Sequence, residues 1–107
     1  MAALLAEPFA PPGPERYDRA EVLELVRRGL VVRSDGVFFA AETIEVAARK
    51  IAELLVEHPG GVTVSDVRTA WDTSRKYALP LLAHLDGNGY TRRRDDLRIA
   101  GPRLPEL

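Results

Sequence analysis

At 107 residues the chain suits one compact domain, with or without a small appendage. Its 46% apolar and 29% charged residues are those of an ordinary globular protein, and no apolar run approaches the roughly 18 residues that cross a bilayer. The formal net charge of −1 argues against a polyanionic partner only until its distribution is read: from Thr73 onward seven basic residues face four acids, so the last third carries +3 and the remainder −4.

Met1 to Ala6 is apolar, but it is too short for a signal peptide and lacks a basic flank. No membrane partner is expected. Residues 7–15 contain Pro8, Pro11, Pro12, Gly13 and Pro14, which exclude a helix or a central strand and predict an extended lead-in. From Tyr17 to Arg28 the spacing of Val22, Leu25 and Val26 predicts a helix that Gly29 stops. Leu30–Arg33 and Val37–Ala40 are β-rich runs around an Asp-Gly turn, the pattern of a hairpin.

Residues 42–57 give the clearest helix, with Ile44, Ala48, Ile51 and Leu55 on one face. His58 to Gly61 ends it, and Val62–Val64 reads as a short strand. Ser65 is the expected N-cap of a brief helix running to about Trp71, itself expected to plug the core. After Asp72-Thr73 a third helix is predicted from Ser74 to Asp86. Pro80 should kink it or separate its first turn, because proline removes a helical hydrogen bond. A second hairpin pairs Tyr90–Arg93 with Leu97–Ala100 around Asp95-Asp96.

Helix, strand, helix, turn, helix and hairpin make a winged helix, so the fold class is α+β and mostly helical. Sliding the chain by sixty residues superposes Tyr17, Leu25, Gly29, Arg33, Asp35 and Ala40 on Tyr77, Leu85, Gly89, Arg93, Asp95 and Ala100. The front thus reads as the last helix and hairpin of a preceding winged helix, and the chain as a piece of a longer array. The expected division is residues 1–41 for lead-in and partial repeat, 42–101 for the complete winged helix, and 102–107 for a tail.

Scaffold positions agree between the two copies, and charge positions do not. Glu15, Val32, Ser34 and Phe38 become Arg75, Arg92, Arg94 and Arg98. Binding is therefore expected in the second copy. Ser74, Arg75 and Lys76 stand where a helix start offers free N–H groups and a favourable dipole to phosphate. A capped helix start with solvated cations explains the same residues. In the wing, strand alternation puts Arg92 and Arg94 on one face and Arg93 on the other, with Arg98 joining either set according to register. Tyr77 and the leucines of this helix read as core. His84 and His58 lack partners at metal-ligand spacing.

Enzyme signals are lacking: there is no phosphate loop, His-Glu-x-x-His pattern or triad, and cysteine is absent, which fits a reducing cytoplasm. No cofactor or metal is expected in this chain.

The run from Thr73 to Leu82, followed by Leu85-Asp86, Gly89 and Thr91-Arg92-Arg93, resembles the carboxy terminus of the bacterial selenocysteine-specific elongation factor family, SelB. Val62 to Val64 leading to Val67-Arg68 is also similar to that family. Weaker similarity covers residues 8–99. The resemblance implies tandem winged helices behind a GTP-binding part that this chain lacks. It also implies a last winged helix that holds an mRNA hairpin, the selenocysteine insertion element, beside a UGA codon at the ribosome. Carried over residue by residue, Ser74, Arg75 and Lys76 are the helix-start contacts, and Arg92, Arg93, Arg94 and Arg98 the wing contacts. The family's wing turn carries glycine where this chain has Asp95-Asp96. The partners expected are that hairpin and, through the full-length factor, the ribosome; the chain itself should be monomeric and cytoplasmic. A winged-helix DNA-binding regulator and a protein-interaction module are the rival readings.

Overall fold

A computed structural model describes residues 8–11 and 18–107. Tyr17 and most of the lead-in lie outside the described residues. Four helices and two hairpins follow in chain order: α1 (Arg19–Arg27), β1 (Val31–Ser34), β2 (Val37–Ala40), α2 (Ala41–Glu57), α3 (Val64–Trp71), α4 (Arg75–Gly87), β3 (Thr91–Arg94) and β4 (Leu97–Ala100). None of these helices is long and apolar enough to cross a membrane.

The second half has the winged-helix layout. Helix α2 buries Thr43, Ile44, Ala47, Ala48, Ile51 and Ala52, a stripe at helical spacing, and its alanines let neighbouring helices approach closely. Against it pack Val67 and Trp71 of α3 and Ala78, Leu81, Leu82 and Leu85 of α4. The strand expected at Val62–Val64 shrinks to one bridge. Val62 exchanges both backbone bonds with Arg98, at 3.0 and 2.8 Å, while Val64 already belongs to α3. The cap of α3 is Thr63, not Ser65. Its hydroxyl accepts from the Asp66 amide, and the Asp66 carboxylate accepts from the Thr63 amide, a reciprocal capping box. That backbone bond is the main reason the Asp66 carboxyl is held below its ordinary range.

Pro80 neither breaks α4 nor detaches its first turn. The helix runs through it from Arg75 to Gly87, with Pro80 itself buried beside Ala78, Leu81 and Leu82. Burial of that apolar face outweighs a lost bond worth about 3 kcal/mol in an exposed helix interior.

The sixty-residue repeat extends to individual hydrogen bonds. Leu30 N–H donates to the Leu25 carbonyl as Tyr90 does to Leu85, and Ala41 donates to Leu30 as Gly101 does to Tyr90. The strand registers coincide as well: Val31 faces Ala40 and Thr91 faces Ala100. Gly29 and Gly89 take φ of 76° and 80° at the two helix ends, a conformation that glycine adopts without strain.

The first hairpin lies between two apolar surfaces. Its Val31, Phe38 and Ala40 cluster with Val22 of α1. Its opposite face sends Phe39, with Val32 and Val37 beside it, into the winged-helix core, and Ser34 donates to the Pro80 carbonyl at 2.7 Å. The expected division at residue 41 is thus not a break in packing. At the other end the tail folds back. Arg103 lies 4.7 Å from the Tyr90 ring centre and donates to the Asn88 carbonyl at 3.0 Å. Burial, and secondarily the Arg103 charge, push the His84 imidazole below its ordinary range.

Two outcomes follow from this packing. Phe39→Ala should cost about 3–5 kcal/mol in denaturant unfolding while hairpin and helices still melt in one transition, because Phe39 belongs to the shared core. His84 should titrate below 6.5 in an NMR pH series. Between its folded and unfolded values the unfolded chain holds more protons, so stability falls as pH drops through 6.5. His84→Gln should flatten that fall.

Candidate nucleic-acid interface

The start of α4 is open. Ser74 is its N-cap, with φ −95° and ψ 165°, but the Ser74 side chain makes no capping bond. The Tyr77 and Ala78 amides donate to the Ser74 carbonyl at 3.2 and 2.9 Å, so the Arg75 and Lys76 N–H groups are left to solvent or a ligand, with the positive end of the helix dipole behind them. Arg75 and Lys76 are exposed there. Arg75 has no ion pair or hydrogen bond among the described residues, and the Lys76 ammonium lies 5.3 Å from the Tyr77 ring centre. Tyr77 is half-buried, consistent with packing.

In the wing, the register decides what alternation alone left open. Arg93 faces Arg98, whereas Arg92 faces Ile99 and Arg94 faces Leu97. Two cross-strand partners share a face, so Arg92 and Arg94 point one way with Leu97 and Ile99, and Arg93 and Arg98 the other. The wing turn forms without glycine because Asp95 takes a φ of 55°, which a short polar side chain tolerates better than most. Arg93 bonds the Asp95 carbonyl at 3.1 Å across this turn.

Arg98 is the correction to the expected set. Only 9% of it is exposed. Its guanidinium lies 3.1 Å from the Asp86 carboxylate, whose other oxygen accepts from the buried Thr91 hydroxyl at 2.5 Å. A cation desolvated against the end of its own helix is a brace for the wing and not a free contact. Its inward position follows from the register, since the equivalent residue in the first hairpin is the buried Phe38.

The two hairpins put the same face to different uses. In the first, the face of Val32, Ser34, Val37 and Phe39 docks on the next winged helix. The corresponding face in the second carries Arg92, Arg94, Leu97 and Ile99, with both arginines exposed and free of ion pairs among the described residues. A face that buries apolar side chains in one copy is thus given to cations in the other.

One cation was not anticipated. Arg68, exposed on α3, lines a cleft of about 420 Å³ beside the α4 start, together with Ala10, Asp72, Thr73, Ser74 and Tyr77. The sequence hides this proximity because Arg68 stands six residues before Ser74, across a turn in which Asp72 adopts the left-handed conformation. Among the described residues, no cluster of His, Asp or Glu is arranged to hold a metal.

This unit is similar to known proteins in both sequence and fold. Residues 53–100 match the family described as "Elongation factor SelB, winged helix". The match takes in less than half of the chain. No curated protein sequence matches the chain. Among solved structures, the mRNA-binding domain of elongation factor SelB from E. coli in complex with SECIS RNA superposes with a TM-score of 0.68 at 23% identity, over 78% of this chain and 69% of that one. A bacterial selenocysteine-specific elongation factor, EF-Sec, superposes with 0.69 at 22% identity over 80% of this chain. The present chain spans 14% of the length of that factor. The SelB-type match contains both cationic elements, the α4 start and the wing.

The brace and the free arginines should separate in unfolding experiments. Arg98→Ala strands a largely buried Asp86 carboxylate and should destabilise the chain by about 2–4 kcal/mol, whereas Arg92→Ala should change stability by less than about 0.5 kcal/mol.

Proposed function

We propose that the chain is the mRNA-hairpin-binding end of a selenocysteine-specific elongation factor. The observation that carries this reading is a set of cations without ion pairs on the α4 start and outer wing of a winged helix that matches the SelB family model. The site is Ser74, Arg75 and Lys76 on the helix and Arg92, Arg93 and Arg94 on the wing, with Arg98 and Asp86 bracing it and Arg68 extending it.

The chemistry suits folded RNA. A-form RNA hides its bases in a deep, narrow groove, so a protein reads the backbone and the unstacked bases of a loop. Arginine forks bond phosphate oxygens by two N–H groups, lysine supplies a compact charge, and the free amides of a helix start add directional donors. The front helix and hairpin serve as a packing partner, because their equivalent positions carry Val32 and Ser34 instead of arginine. The domain reaches the ribosome as part of a longer, cytoplasmic factor whose GTP-binding part delivers selenocysteinyl-tRNA to UGA. The chain itself performs no catalysis and acts as a monomer.

A fluorescence titration tests this, using RNA hairpins transcribed from downstream of in-frame UGA codons in the source genome and duplex DNA of matched length. One hairpin should bind well above the DNA, with a slope of log affinity against log salt of about −4 for some five neutralised phosphates. Arg75→Ala, Lys76→Ala, Arg92→Ala and Arg94→Ala should each weaken it and flatten the slope by about one unit without moving the melting temperature, and Arg68→Ala should do so more mildly. Preference for duplex DNA would transfer the site to a regulator. Salt-insensitive binding, or none, would leave a protein-interaction module.

A further inference from the structure

Residues 8–11 of the lead-in pack on the winged helix. The Phe9 ring stacks on Trp71, with centroids 5.7 Å apart and planes 8° from parallel. The Phe9 carbonyl accepts a 2.6 Å bond from the Thr73 hydroxyl, and Pro11 is buried. These contacts bracket the turn between α3 and α4: Trp71 ends α3, Asp72 reverses the chain at φ 49°, and Thr73 precedes the Ser74 cap. Thr73 is held twice, by this bond and by its amide on the Arg68 carbonyl at 3.1 Å. The next residue, Ser74, is the N-cap of α4.

We propose that residues 8–11 are a strap whose docking on Trp71 and Thr73 positions the start of α4 for RNA, so that strap docking and RNA binding reinforce each other. This rests on the RNA-binding reading. Phe9 and Thr73 are positioning residues, and the proposal requires no contact between either of them and RNA. The physical basis is that the helix start has no side-chain cap, so the aim of its first peptide planes depends on the turn before it. Ordering a proline-containing segment costs little conformational entropy, which makes such a strap effective with few contacts. Coupling of this kind is reciprocal: whatever factor the docked strap adds to RNA affinity, bound RNA adds to strap docking.

Trp71 is the sole tryptophan, so its emission reports the stack directly. The experiment uses the full chain and the tightest hairpin of the titration above, well below the melting temperature. Phe9→Ala should weaken RNA binding about fivefold or more with the salt slope unchanged, because no phosphate contact is lost. Phe9→Tyr should restore affinity. Thr73→Val, which keeps the side-chain shape and removes only the hydroxyl bond, should weaken binding in the same direction and keeps the test sound if Phe9→Ala folds poorly. Saturating RNA should reduce acrylamide quenching of Trp71 in the unaltered chain and leave it unchanged in Phe9→Ala. The strap is refuted if Phe9→Ala and Thr73→Val bind as tightly as the parent while Arg75→Ala is weakened. Should Arg75→Ala also bind undiminished, the RNA reading falls first and takes the strap with it.

Discussion

One carboxylate ties both strands of the wing to its helix. Asp86, near the end of α4, accepts from the Thr91 hydroxyl with one oxygen and pairs with Arg98 through the other. Thr91 opens β3 and Arg98 lies on β4, so a single side chain ties both strands of the hairpin to the helix that precedes them. Burial strengthens these charge-assisted bonds and raises the cost of losing either partner. Arg98 meanwhile exchanges backbone bonds with Val62, which carries the restraint into the segment before α3. A short hairpin with an exposed tip would otherwise be poorly fixed, since two isolated strands are marginal in water. Fixing the wing also fixes which of its arginines face outward.

Repetition supplied the scaffold, and divergence supplied the exposed cations. The two copies share turn geometry, register and helix-ending bonds, residue for residue at an offset of sixty. They differ in what each hairpin does with its two faces. In the first, both are buried: one against α1, the other in the shared core through Phe39. In the second, the inner face is braced by a buried ion pair and the outer one carries Arg92 and Arg94. The apolar residues remaining there, Leu97 and Ile99, are only partly covered. The same backbone thus serves as a packing element or as a cationic surface according to four side chains.

Much of this was legible from residue order. Helix periodicity, glycine stops and the Asp-Gly and Asp-Asp turns placed every element within a few residues, because those signals are local. The winged-helix class and the SelB resemblance came from the same short range. One miss was local and two were long-range. Ser65 was the expected cap, but Thr63 has the acid three residues later that closes a capping box. Pro80 reads locally as a helix breaker, yet long-range burial keeps the helix whole. Arg98 reads as one more wing cation, and only its register opposite Arg93, with Asp86 within reach, turns it inward.

The amino-acid order by itself determined the element sequence, the repeat, and the concentration of positive charge in the second copy, since each depends on residues near one another along the chain. Tertiary structure decided which cations are free, because an arginine's availability depends on neighbours far away in sequence. It turned Arg98 inward onto Asp86 and brought Arg68 beside the α4 start. It also set Phe9 against Trp71, sixty-two positions further on, a contact that no local pattern encodes because the stack exists only once α3 and the lead-in share a surface.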